Sequence, residues 1–191
     1  MLKGDKLMEK LEELLKNGYQ KCYNYKNKIL CICERYCIEV TKMDVKELAI
    51  GIISYYNNAN KQISNLKLQK ILYYIQGYAM RVTNSIAFDS KIYNWPYGPV
   101  IEEIYFEYNE CRAKNIVLKE DDRTNCFLKD KSAQAKLILD VLNHCADKTA
   151  YELVRMTHSE DPWKNSKLHE EITIESISKY FSDHDPLNIG A

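Results

Sequence analysis

From Met43 onward the apolar positions recur at helical intervals, and their register predicts most of the elements. Val45, Leu48, Ile52 and Tyr56 follow one another at three- and four-residue steps behind Asp44 and Glu47, which are spaced as an N-cap and its reciprocal partner. A helix is therefore predicted from there to about Asn58. Ser64 or Asn65 caps the next one, in which Leu68, Ile71, Leu72, Ile75, Ala79 and Val82 make a continuous apolar stripe, the strongest helical signal in the chain. On the same helix Gln69, Tyr73, Gln76 and Met80 form a second stripe, roughly 100° round from the first.

The pattern breaks between Ile86 and Val100. Pro96, Gly98 and Pro99 beside Trp95 and Tyr97 cannot continue a helix or a central strand, so a short strand over Lys91–Trp95 running into a rigid turn is predicted. Pro99 suits the first turn of a further helix whose buried side would carry Val100, Ile101, Ile104, Tyr105 and Tyr108. Residues 116–118 and 125–128 flank a charged run and are expected to pair as a hairpin. Beyond it, Leu137, Ile138, Val141, Leu142 and Cys145 mark a helix over about 132–145, and Thr149 with Glu152 has capping-box spacing for another. Asp161 before Pro162 ends that pattern, and Ile174, Ile177 and Phe181 mark a last short helix.

Residues 1–43 read differently. Leu7, Leu11, Leu14 and Leu15 predict a short amphipathic helix, and residues 19–41 fit either a second helix or a weakly ordered arm. The chain thus divides into a Cys-rich N-terminal helical extension (1–43), one domain (44–182) and a frayed tail (183–191). The expected class is mainly α, a compact helical domain with a small β-hairpin or short antiparallel sheet.

Composition narrows the function classes. Of 191 residues 46% are hydrophobic, enough to bury a core, and Lys plus Arg equal Asp plus Glu at 27 each. A neutral chain lacks the positive field that gathers phosphates, so nucleic acid is an unfavoured partner. No apolar run reaches the roughly 18 residues of a membrane span, and no signal peptide is legible, so a cytoplasmic protein with no membrane partner is expected. Seven cysteines, an odd number, argue for reduced thiols. Cys22, Cys31, Cys33 and Cys37 lack the two-residue ligand spacing of structural zinc sites and read as small buried hydrophobes, so no metal is expected. The fifteen tyrosines reflect either codon bias or a surface that is half core and half contact.

Three clusters carry a resemblance: Leu66 to Gly77 (LKLQKILYYIQG), Trp95 to Val100 (WPYGPV) followed by Ile104 and Tyr105, and Thr157 to Trp163 (THSEDPW). In this order and spacing they resemble the SocA/Panacea antitoxin family, also called GepA-like, and the likeness spans residues 44–182. Residues 1–43 depart from the common form, which begins near Met43. The resemblance implies an antitoxin that neutralises a toxin by direct contact. Alternatives are a phage or mobile-element inhibitor of a host defence protein and an adaptor delivering its partner to a protease. In each case the partner is a protein, encoded nearby or belonging to the host.

The candidate partner-binding residues are Gln69, Tyr73, Gln76, Met80, Trp95, Tyr97, His158 and Trp163. The second stripe supplies amides for directional hydrogen bonds and adaptable apolar area. Its competing role is internal, with both glutamines satisfying backbone groups around the proline-rich turn. Trp95 to Val100 is either a rigid corner or an exposed aromatic anchor. His158 and Glu160, two residues apart, suggest a base and its orienter, yet the chain has no nucleophile elbow, phosphate-cradling glycine loop or paired metal-ligand histidine motif. No catalytic residue and no cofactor are expected.

Overall fold

The computed structural model describes residues 21–25, 28–33, 36–40, 42–120, 123 and 132–190. Its first elements are an antiparallel meander of β1 (Lys21–Tyr25), β2 (Lys28–Cys33) and β3 (Tyr36–Val40). This corrects the helix or weakly ordered arm expected over residues 19–41. Tyr23, Ile29, Ile32, Tyr36, Ile38 and Val40 are aromatic or β-branched types that favour pleated backbone, and no helical stripe competes with them. The register sets Cys22 opposite Cys31 and Ile32 opposite Cys37. The amphipathic helix expected around Leu7 to Leu15 lies outside the described residues.

Helix α1 (Val45–Asn58) starts and stops where its sequence predicts, with the Asp44 carboxylate accepting from the amides of Lys46 and Glu47 at 2.8 and 3.0 Å. Helix α2 (Asn65–Thr83) is capped by Ser64. Sixteen of its nineteen residues are buried, so it has no solvent face and serves as the axis of the fold. Around it pack β5 (Gly98–Val100), α4 (Ala133–Ala146), α5 (Ala150–Ser159) and α7 (Ile174–Asp183), with α1 alongside. The core is aliphatic and tyrosine-rich: Leu48, Ile52, Leu68, Ile71, Leu72, Val141, Leu142 and Leu153 are fully enclosed together with Tyr56, Tyr73, Tyr74 and Tyr78. Gly77 permits one close approach, since a Cβ there would lie 2.4 Å from the ring of Phe181 on α7.

The small sheet is a hairpin of β4 (Tyr93–Trp95) and β5, joined by Pro96 and Tyr97, with Gly98 at φ +94°. Residues 169–172 run beside β4: the Asn94 amide donates to Glu170 O at 2.9 Å and the Ile172 amide to Ile92 O at 2.7 Å. The expected helical start at Pro99 is corrected, because Pro99 belongs to β5, and α3 (Glu102–Glu107) begins three residues later. Two side chains of α2 hold the segment extended: Lys70 Nζ donates to Pro99 O at 2.7 Å and Gln69 Oε1 accepts from the Ile101 amide at 2.8 Å. Pro99 stands opposite Asn94, whose own amide donates away from the hairpin to Glu170 O, so the missing proline N–H takes no bond from this ladder.

The hairpin expected from residues 116–118 is also corrected. Asn57 takes the place of a partner strand, donating from Nδ2 to Ile116 O and accepting from the Leu118 amide, both at 2.9 Å. Residues 125–128 lie outside the described ones. A 3-10 turn (Asn109–Cys111) follows α3, and α6 (Asp161–Lys164) is a single turn with Pro162 near its start. The frayed tail expected from Asp183 is tied down instead. Tyr78 Oη donates to Asp185 Oδ1 at 2.5 Å and accepts from the Leu187 amide at 2.8 Å, Asp185 takes the amides of Ile189 and Gly190, and Leu187 is buried.

Candidate functional site

The three clusters singled out in the sequence meet at one place. Lys70, Tyr73 and Tyr74 point from α2, Gly98 and Pro99 come from β5, and Thr157 and Glu160 close the end of α5. Glu160 is 1% exposed, and its two oxygens accept from the hydroxyls of Tyr73 and Tyr74, each at 2.8 Å. Lys70 is fully buried and donates to Pro99 O. A Cβ at Gly98 would lie 2.8 Å from Thr157 Oγ1 and 2.9 Å from Lys70 Nζ, so the absence of a side chain lets β5 close against both. Trp163 Nε1 donates to Trp95 O at 3.1 Å, and Asn94 Nδ2 donates to the carbonyls of Trp163 and Ser166 at 2.8 Å. Together these bonds clamp the end of α5 and α6 onto the hairpin.

Burial dominates the protonation of this network and outweighs the positive field of His184 at Glu160. It pushes the Glu160 carboxyl up from 4.5 to about 7 against the two tyrosine hydrogen bonds, which favour the ionised form. Burial also holds the Lys70 amine well below its ordinary range. His158 is lowered by partial burial and then by the nearby Lys70.

Most of the sequence-predicted contact residues are internal. Gln69 Nε2 donates to Asn65 Oδ1 and its Oε1 accepts from the Ile101 amide. Gln76 donates to Phe88 O and accepts from the amides of Ala87 and Phe88. Tyr73 and Met80 are buried as well, so the strip expected as a contact surface on this helix lies inside the fold, with Gln69 and Met80 reaching only the floors of two clefts. The competing internal role holds for both glutamines, although Gln76 serves the loop before β4 rather than the turn. His158 and Trp163 are half-buried and stack on each other, centroids 3.8 Å apart and planes at 13°. His158 and Glu160 share no hydrogen bond among the described residues, because both Glu160 oxygens turn inward to the tyrosines.

The exposed chemistry lies at the corner made by the β4–β5 turn and α3. Tyr97 is 62% exposed and Phe106 57%. Behind them Trp95 meets Tyr105 edge to face at 4.7 Å, Phe106 at 6.4 Å and His169 at 6.2 Å. Beside this aromatic knot lies a cleft of about 310 Å³ lined by Leu66, Trp95, Tyr97, Val100, Tyr105 and Arg112. Trp95 Nε1 is enclosed and has no hydrogen-bond partner among the described residues. Of the eight candidates, Tyr97 is the one that is exposed, and Trp95 and Gln69 line the cleft beside it.

Comparison with known proteins gives the chain its relatives. The family model described as antitoxin SocA-like, Panacea domain, matches residues 68–164. The chain belongs to this family. No curated protein and no solved structure matches it.

Within this Panacea domain the match runs from the first buried leucine of α2 to the end of α6, and so contains the clamp and the aromatic corner except for Ser166 and His169 just beyond it. Membership in an antitoxin family implies a protein partner. Sequence reasoning missed Phe106 and placed Tyr105 on the buried side. The available signal was position: Phe106 falls outside the Ile101, Ile104, Tyr108 stripe and sits among glutamates, where a large apolar ring has no core to enter. No helix among the described residues is long and apolar enough to cross a membrane.

Proposed function

We propose that this SocA-like protein is a cytoplasmic antitoxin that neutralises a partner toxin by direct binding, without catalysis, and that the corner of Trp95, Tyr97, Tyr105 and Phe106 is its contact surface. Membership in the antitoxin family carries the reading. The corner supports its placement, since exposed aromatic rings that rest on rigid neighbours give large contact area at low entropic cost and dominate interface energetics. The buried polar network is reserved for the fold. Its groups are bonded to one another, so it offers no accessible acid or base for a reaction.

The experiment is expression of the neighbouring open reading frame in cells with and without this chain, with the level of the partner followed by immunoblot. Neutralisation by binding predicts that growth is arrested without the chain and restored with it at unchanged partner level. Equal arrest in both cultures would refute the reading, and disappearance of the partner would indicate delivery to a protease instead.

A further inference from the structure

We infer that the segment seated on the aromatic corner is cationic, a stretch of the partner carrying arginine or lysine beside apolar residues. This rests on the corner being the contact surface and adds the chemistry of what binds there. From Ile92 to Cys111 the chain contains four glutamates and no lysine or arginine, although the whole chain is neutral. The acidic character is therefore local to this segment, which Lys91 and Arg112 bound. Helical spacing sets Glu102 and Glu103 one turn before Phe106, and Glu110 lies in the 3-10 turn that follows α3. Glu103, Phe106 and Glu110 are exposed, and Glu102 is half-exposed.

Among the described residues only Glu107 of the four is in an ion pair, with Lys46 at 3.7 Å and both ends half in solvent. The rings and the carboxylates are thus interleaved on one ridge. Exposed aromatic faces attract guanidinium and ammonium groups through their quadrupole, and flanking carboxylates add Coulomb attraction and hydrogen-bond acceptors. An acidic partner would meet repulsion along the ridge. Arg112 ends the run and lines the cleft rather than the ridge, so a preference for acidic ligands is the outcome that it would support.

The test uses the full chain and two fluorescein-labelled peptides, one alternating arginine with leucine and the other glutamate with leucine, read by fluorescence anisotropy. The arginine peptide is expected to bind at least about tenfold tighter than the glutamate peptide, to weaken as salt rises, and to lose about tenfold in the Phe106→Ala and Glu103→Lys/Glu110→Lys variants. Tyr151→Ala, which removes an exposed ring from α5, is expected to leave binding unchanged. Glu103→Gln/Glu110→Gln, checked by thermal melting beside the other variants, separates lost charge from any disturbance of the fold. Equal binding of the two peptides, a preference for the glutamate peptide, or binding indifferent to the double variants would overturn the inference. Growth rescue reports separately. If the wild-type chain restores growth but the peptides fail these criteria, the cationic partner is wrong and neutralisation stands. If growth is not restored, neutralisation falls while the anisotropy result still decides the chemistry of the ridge.

Discussion

A single carboxyl group gives this protein its most specific pH signature. Glu160 is buried and raised to about 7, so between its ordinary value of 4.5 and that point the folded chain holds a proton that the unfolded chain has released. Protonation favours the folded state, and stability therefore falls as pH rises through this window and levels off above it. The loss attributable to Glu160 is expected to be on the order of 3 kcal/mol, reduced by whatever relaxation admits water. Urea unfolding of wild type and Glu160→Gln at about pH 5 and about pH 7.5 isolates it, because the amide accepts from one tyrosine hydroxyl, donates to the other and cannot ionise. An identical pH slope in both proteins would contradict the burial-driven shift. The residue scale also explains what sequence could not supply. His158 and Glu160 are two apart, which suggested a pair, but one turns to the Trp163 ring and the other to Tyr73 and Tyr74. Spacing constrains where a side chain starts and leaves open which way the end of a helix directs it.

Among elements, α2 decides the most. Its sequence shows one apolar stripe, and the stripe was legible at every position; that the opposite positions are buried too was not, because Gln69, Lys70 and Gln76 are ordinary surface residues until α4, α5, α7 and β5 are known to surround them. The cost of enclosing them is offset by bonds to backbone groups of the proline-rich segment and the loop before it. Two glycines set the tolerances of this packing. Gly98→Ala adds a Cβ at φ +94° against Lys70 and Thr157 and is expected to destabilise by about 2–4 kcal/mol in denaturant titration. Gly77→Ala drives a methyl group into Phe181 and is expected to cost about 1–3 kcal/mol, and pairing it with Phe181→Leu should recover part of that loss in a double-mutant cycle. The capping signals before α1 and α5 were legible because they are local, as the complete Thr149–Glu152 box shows. The Asn57 bonds to residues 116–118 were not, since they depend on partners 59 and 61 positions apart, and the N-terminal strands pair locally but carry no Asn-Gly or Asp-Gly pair between them to mark a hairpin.

For the whole molecule, the interior and the surface carry different information. The three clusters that mark the family meet inside, where they close one packing arrangement, whereas Tyr97 and Phe106 stand outside that clamp. Tyr97→Ala and Phe106→Ala are therefore expected to move stability by less than about 0.5 kcal/mol while weakening partner binding by more than about 1 kcal/mol, measured by thermal melting and by titration against the neighbouring gene product. A parallel loss of both would mean that the rings belong to the core. The tail belongs to this scale as well: Tyr78→Phe removes the hydroxyl that ties Asp185 and Leu187 to α2, and hydrogen exchange should show the amides of Leu187 to Gly190 losing protection.

The seating of Phe181 against Gly77 joins positions 104 residues apart (181 − 77), and it has a consequence for synthesis. Until α7 and the residues that follow it have emerged from the ribosome, the middle of α2 lacks Phe181 and Tyr78 lacks its anchor, so a nascent chain that already displays residues 95–110 is not yet closed around its own axis. Closure waits for α7, and a chain stalled before that helix would present an open seam of tyrosines to proteases.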